Sequence, residues 1–324
     1  MIDKFGEVNG INYNLYTIEN DFLKISVSEY GACLVNFIDK RNNTNIVKGF
    51  NDVSDYYEND SYMGMSVGRV CNRIGNGKFV LNDKEYNIPI NNGPNSLHGG
   101  KKGLSFRKWD INIQDHNIIC KIFSKDKEEG YPGNLEVEVK YILEGNGLTY
   151  QFSGKSDQDT LLSMTNHSYF NLNGRDSKTI ANHKLFVNCN EVAKIDENGL
   201  SQSETFNVND TPFDFREPRI IGECLKESNH QLELGNGYDH HFVINETKQS
   251  IVECCGDKCE LKIYSDLPGV QIYTANFLPD KKSAICFETQ FYPNAINYNN
   301  RKKPILKKNQ VSRYTTKYIV SEVK

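Results

Sequence analysis

Apolar and polar side chains alternate with a period of two along much of this chain, the pattern of half-buried strands. Phe22–Ser28 reads Phe-Leu-Lys-Ile-Ser-Val-Ser, and Ala32–Ile38 repeats the pattern after Gly31. Further strands are expected at Lys78–Leu81, Asn112–Phe123, Leu135–Leu143, Leu148–Gly154, Lys184–Cys189, His241–Ile244, Ser250–Cys255, Glu260–Ser265, Val270–Asn276 and Ala284–Glu288. Between Leu143 and Leu148 the Glu-Gly-Asn-Gly run tolerates positive φ and turns the chain back tightly. Gly75-Asn-Gly77 is expected to form a sharp turn before Lys78. Helical periodicity is weak throughout, and only short helical turns are expected, near Ser54–Tyr57 and Ile220–Leu225. Many short strands broken by Gly, Asn and Asp predict an all-β protein, a sandwich or barrel. With neither a Pro/Ser-rich linker nor an internal repeat, residues 1–324 are expected to form a single domain.

Composition narrows the function classes. Lys plus Arg number 38 against 42 Asp plus Glu, a net charge of −4 with no general attraction for polyanions, so nucleic acid is not expected as a partner. The 17 Phe and 18 Tyr supply large buried surfaces in an otherwise lean hydrophobic inventory. No apolar run is long enough to span a bilayer, and the amino terminus lacks the core of a secretory signal. Nine cysteines, an odd number scattered along the chain, fit free thiols in a reducing, cytoplasmic compartment. Cys254, Cys255 and Cys259 lack the companion motif of a zinc site, so no metal is expected. Gly75-Asn-Gly77 lacks the third glycine and following helix of a dinucleotide loop, and no phosphate loop occurs, so no cofactor is expected.

Candidate chemistry lies in several polar segments. Glu288 is a lone carboxylate at the end of an apolar strand, followed by Thr289, Gln290 and two aromatics. In Thr165–Leu172, an extended backbone puts His167 and Tyr169 on one face, and an imidazole titrates near neutrality. His98 precedes two glycines that let backbone approach a ligand closely. Gly68–Gly75 carries Arg69 and Arg73, spaced so that only one points into a site, with Asn72 between them. In Tyr238-Asp-His-His-Phe242, Asp239 reads as a hydroxyl acceptor, with His241 on its side of an extended strand and His240 on the other. Gln271 can both donate to and accept from a sugar hydroxyl. Each has an ordinary structural alternative: a solvated acid, a satisfied core histidine, a surface ion pair or a structural amide.

Taken together and in order, these segments resemble the galactose mutarotase (aldose 1-epimerase) family. The matching blocks are Gly68–Gly75, Asn95–Gly100, Thr165–Leu172, Gly237–Phe242, Leu267–Thr274 and Phe287–Asn297. The resemblance implies a large antiparallel β-sandwich of the mutarotase type. It also implies cofactor-independent interconversion of the α and β anomers of free hexoses such as galactose and glucose. It places Glu288 on the family's catalytic base and His167 on its catalytic acid. Asn72, Arg73, His98, Tyr169, Asp239 and Gln271 fall on sugar-contacting positions, which selects Arg73 over Arg69. Departures are Cys71, Ser168 and Asn294 where Ala, Thr and Asp are usual, and a shortened Phe277–Ser283 stretch expected to leave the pocket rim open.

Three other functions compete. A hexose-6-phosphate 1-epimerase would need converging cations, for which Lys101-Lys102 beside His98 is the candidate. A carbohydrate-binding or regulatory module would have no use for an acid–base pair. A glycosidase would pair Asp239 with Glu288 and leave the histidines and Gln271 without a task.

Overall fold

The computed structural model describes residues 1–247 and 249–323. Three large antiparallel sheets, with four two-stranded ones beside them, organise the described residues. The largest has nine strands, in the order Asp110–Gln114, Asn117–Ser124, Leu135–Glu144, Gly147–Ser156, Val311–Glu322, Cys259–Ser265, Val252–Cys255, Lys184–Val187 and Arg219–Ile220. A six-stranded sheet runs Tyr169–Phe170, Ile285–Gln290, Gly269–Tyr273, Asp239–Ile244, Cys189–Ile195 and Ser201–Asn207. A five-stranded meander covers Ile2–Val8 through Thr44–Asn45.

The six-stranded sheet packs on the nine-stranded one, as the alternation along each strand dictates. Phe287 points inward with Phe170, whose ring lies 5.9 Å from it and 5.6 Å from Tyr318 of the large sheet. Thr289 continues that face and its hydroxyl bonds Thr316 across the interface. Cys286, Glu288 and Gln290 therefore point to the opposite face, away from the sandwich interior. One cluster of buried apolar residues runs from Ile25 and Phe37 of the meander through Tyr141 and Phe152 to Val270 and Phe287. The α-helices among the described residues are few and too short to be stable in isolation, at Val53–Tyr57, Ile221–Cys224 and His230–Gly235.

Two strand expectations change. Asn112–Phe123 is not one strand: Asp115 and His116 both take positive φ, 49° and 60°, and fold the segment into a two-residue hairpin. Lys184–Cys189 is likewise divided. Lys184–Val187 belongs to the large sheet and Cys189–Ile195 to the six-stranded one, the chain crossing between sheets at Asn188. The Val311–Glu322 strand and the His230–Gly235 helix were not anticipated. The first shows its alternation only against the partners it pairs with, and the second is too short for periodicity and rests on the Asn229 cap. Gly145 does turn the chain between its paired neighbours, and Gly77 sits where a Cβ would lie 2.6 Å from the Ile88 carbonyl.

Candidate active site

The outer face of the six-stranded sheet forms the floor of a cavity of about 660 Å³. Strand register builds this floor: Gln271 lies opposite Glu288, Asp239 opposite Tyr273, and Cys286 opposite both Tyr273 and Tyr169. Residues distant in sequence are thus adjacent by ladder pairing. Glu288, His167, His98, Asn72, Arg73, Tyr169 and Asp239 line the cavity.

His167 follows the Thr165–Asn166 strand and is held at both backbone ends. Its N–H donates to the Met65 carbonyl, and its own carbonyl accepts from Gly64 N–H, both at 2.9 Å. The ring stacks on Tyr169 with centroids 5.1 Å apart and planes 24° from parallel. Its Nε2 stands 3.5 Å from Glu288 Oε1. The Tyr169 hydroxyl does not face the acid but donates to the Ser61 carbonyl at 2.8 Å, tying down the cavity's wall.

Burial perturbs this pair in opposite directions. The Glu288 carboxyl is pushed well above its ordinary range, first by loss of solvent, then by Asp239, with Arg73 opposing. Loss of solvent brings His167 down to about 4, an effect that its own backbone offsets in part. Both shifts favour an uncharged pair, which holds the same proton as the carboxylate–imidazolium form and differs by one transfer across the gap. Glu288 Oε2 has no hydrogen-bond partner among the described residues.

His98 takes a left-handed backbone, φ 54°, beside Gly99 and Gly100. The Asn72 N–H donates to its Nδ1 at 3.2 Å, so a neutral His98 carries its proton on Nε2. Loss of solvent, then the nearby His167 and Arg73, keep it well below the ordinary imidazole range. His98, His167 and Glu288 are the one close trio of possible metal ligands among the described residues, and the cysteines 254, 255 and 259 form none. With Nδ1 already engaged, His98 serves as a hydrogen-bond donor from Nε2 in its resting tautomer and offers no lone pair there to a cation.

The two arginines are resolved by burial. Arg69 is 2% exposed and spends its guanidinium on the carbonyls of Ser124, Lys125, Pro132 and Gly133, a structural clamp. Arg73 reaches the cavity, donates from Nε to Asn92 Oδ1 at 2.9 Å and stands 3.9 Å from Asp239 Oδ2. Its guanidinium lies over Gly199, where an added Cβ would come within 3.1 Å of Arg73 Cζ.

Two expected side chains stand behind the wall. Gln271 donates to Asp239 Oδ1 but is not itself part of the lining. His241 shares Asp239's side of the sheet, yet it is roofed by Tyr292, 5.1 Å away, and does not reach the cavity. His240 takes the other face against Phe213. Tyr62, Asn92, Asn198 and Gly199 line the cavity without having been singled out, and Phe277, Leu278 and Pro279 bring the expected rim stretch to it. Tyr62 carried a signal only in retrospect: it sits at φ 57° with its ring 4.6 Å from His98.

A family model described as Aldose 1-epimerase matches residues 14–319. The chain belongs to the aldose 1-epimerase family. A galactose mutarotase of Sus scrofa is 34% identical, with 94% of this chain and 93% of that protein covered. An aldose 1-epimerase of Haemophilus influenzae is 32% identical, with 91% of each covered. The solved galactose 1-epimerase of Lactobacillus acidophilus superposes with a TM-score of 0.91 at 26% identity, covering 100% of this chain and 99% of that one. The family is one of isomerases, and the mostly-β sandwich is its fold. No helix among the described residues is long and apolar enough to cross a membrane.

Proposed function

We propose that residues 1–324 act as one sandwich domain that interconverts the anomers of a free aldohexose, with Glu288 and His167 as the proton-transfer pair. The observation that carries this is His167 Nε2 at 3.5 Å from Glu288 Oε1, both buried on the floor of a sugar-sized cavity. Opening the ring requires removal of the anomeric hydroxyl proton and delivery of a proton to the ring oxygen. The Glu288 carboxylate takes the first and His167 gives the second from Nε2. Rotation about C1–C2 turns the other face of the aldehyde to the ring hydroxyl, and closure reverses both transfers. The intermediate is neutral, so the site need only favour the charged form of the pair while the sugar is bound. Arg73, the influence that opposes the rise of the Glu288 pKa, acts in that sense. Asn72, Arg73, His98, Tyr169 and Asp239 present hydrogen-bonding groups or an apolar ring face to the sugar, and Gln271 acts through Asp239.

The cavity's charge favours an unphosphorylated substrate. Asp60, Glu197 and Asp239 line it, besides Glu288, against the single cation Arg73, itself beside Asp239. Lys101 is absent from the lining, and Lys102 lies at a separate small crevice with Arg69. A phosphate would meet carboxylates in place of cations. The nine unpaired cysteines support a reducing, cytoplasmic setting. Polarimetry on freshly dissolved α-glucose, α-galactose and glucose 6-phosphate tests the assignment. Acceleration is expected with the free sugars, and acceleration confined to the phosphate ester would overturn it.

A further inference from the structure

The imidazole of His167 is bracketed by alternate residues of one strand. On Ile285–Gln290, Glu288 faces Nε2 and Cys286, two residues earlier on the same face, puts its Sγ 3.6 Å from Nδ1. The bracket follows from register. Cys286 pairs with Tyr169, and Tyr169 lies two residues after His167, so the strand carrying the base also reaches the back of the acid. Cys286 is fully buried and is not part of the lining of the site cavity. Its burial, with Glu288 and then Asp239 nearby, holds the thiol well above its ordinary pKa, so it remains neutral.

We propose that Cys286 is a positioning residue for the proton-transfer pair, its sulfur accepting from His167 Nδ1–H and leaving Nε2 as the only nitrogen that exchanges a proton with the sugar. This rests on the reading of His167 as the acid. The direction of the bond follows from the task of the ring's other nitrogen. As the acid, His167 gives its proton from Nε2, the nitrogen that faces Glu288, so the neutral ring left behind carries its proton on Nδ1. Nδ1 therefore carries a proton in both states of the ring. The protonated ring loses its Nε2 proton to the ring oxygen, and the neutral product keeps Nδ1–H against the sulfur.

The identity of the atom matters. A carboxylate behind the ring would stabilise imidazolium and hold the acid's proton back, besides adding a third negative charge near Glu288 and Asp239. A thiol sulfur is a weak, neutral acceptor that orients the ring without favouring its charged state. The groups facing His167 from the surrounding elements are Glu288 and Cys286 on one strand, Tyr169 and Tyr273 on its neighbours, and His98 and Tyr62 across the cavity. Among the ionisable members of this set, Cys286 is the one placed at Nδ1.

Cys286→Val removes the acceptor at similar volume, and Cys286→Ser replaces it with a hydroxyl oxygen that can still accept. Nitrogen-15 NMR of the histidine ring in the sugar-free protein reads the tautomer without reference to turnover. The wild type and the Ser variant are expected to show His167 protonated at Nδ1 when neutral, and the Val variant a mixture. In polarimetric kinetics the Val variant should lose ~3–10-fold in kcat with KM changed less than about twofold, while Ser stays within about twofold of wild type. An Nε2–H tautomer in the wild type, or an unchanged tautomer and kcat in the Val variant, would overturn the proposal. So would a Val variant whose loss appears in KM alone. If His167 proved not to be the acid, the NMR result would still decide the tautomer separately.

Discussion

Gln271 donates its side-chain N–H to Asp239 Oδ1 at 2.7 Å, while its own Oε1 finds no partner among the described residues. The two residues sit on adjacent strands, Gln271 one ladder step deeper than the Tyr273 that pairs with Asp239. Gln271 thereby aims a carboxylate that would otherwise be free to turn toward Arg73. Replacing it by Leu removes a hydrogen bond to a charged group, and KM for a free hexose is expected to rise ~10-fold, with kcat falling less. Steady-state polarimetry checks this, and unchanged kinetics would mean that Asp239 needs no brace.

Glu288→Gln should separate activity from stability. Gln keeps the shape but cannot take the anomeric proton, so kcat is expected to fall by ~10²–10⁴. The buried carboxyl has its pKa raised in the folded state, so stability is lost as pH rises from the unfolded value near 4.5 through the raised one. An amide escapes that cost, and the variant should melt at a higher temperature than wild type at pH 8. Calorimetry beside the kinetic assay decides; a lower melting temperature would show that the carboxylate is well solvated in the fold.

The rate should depend on one proton held by the pair. Below the His167 value of about 4 a second proton enters and no base remains; above the raised Glu288 value the shared proton leaves and no acid remains. Initial rates against pH should therefore trace a broad bell whose acid limb lies below the ordinary imidazole range near 6.5. An acid limb centred on 6.5 would assign it to an exposed histidine.

Acid should weaken the fold earlier than it weakens the chemistry. His98, His167, His183, His240 and His241 all have depressed pKa values, each chiefly through burial. The unfolded chain binds these protons near pH 6.5, whereas the folded protein takes up those of His167, His183, His240 and His241 only near 4 or 3 and that of His98 well below the ordinary range, so stability is intact above pH 6.5 and is lost as pH falls through that window. Each group costs up to ~1.4 kcal/mol per pH unit. Urea titrations at pH 7.5, 6.0 and 5.0 should show a falling midpoint; a constant midpoint would mean that the rings are open to water.

The sequence by itself determined which side chains share a strand face, because alternation is a local property of extended backbone. Cys286, Glu288 and Gln290 had to point one way and Phe287 the other once Ile285–Gln290 was extended. The short helical turns and the Gly145 hairpin were legible for the same reason, since turn and cap chemistry lies in neighbouring residues. The resemblance to aldose 1-epimerases identified the family from ordered motifs, and nearly all the polar residues it marked lie around one cavity. The resemblance also selected Arg73 over Arg69, and the tertiary structure supplied the physical reason, because burial depends on what the rest of the chain brings to Arg69 and makes it a clamp. The tertiary structure alone set Gln271 and His241 behind the wall, since depth on a sheet face depends on what covers it, here Tyr292. The approach of His167 to Cys286 and Glu288 is likewise a matter of long-range register. No local pattern near position 167 records which strand will lie beside it, and ladder pairing between distant segments is what sets those distances.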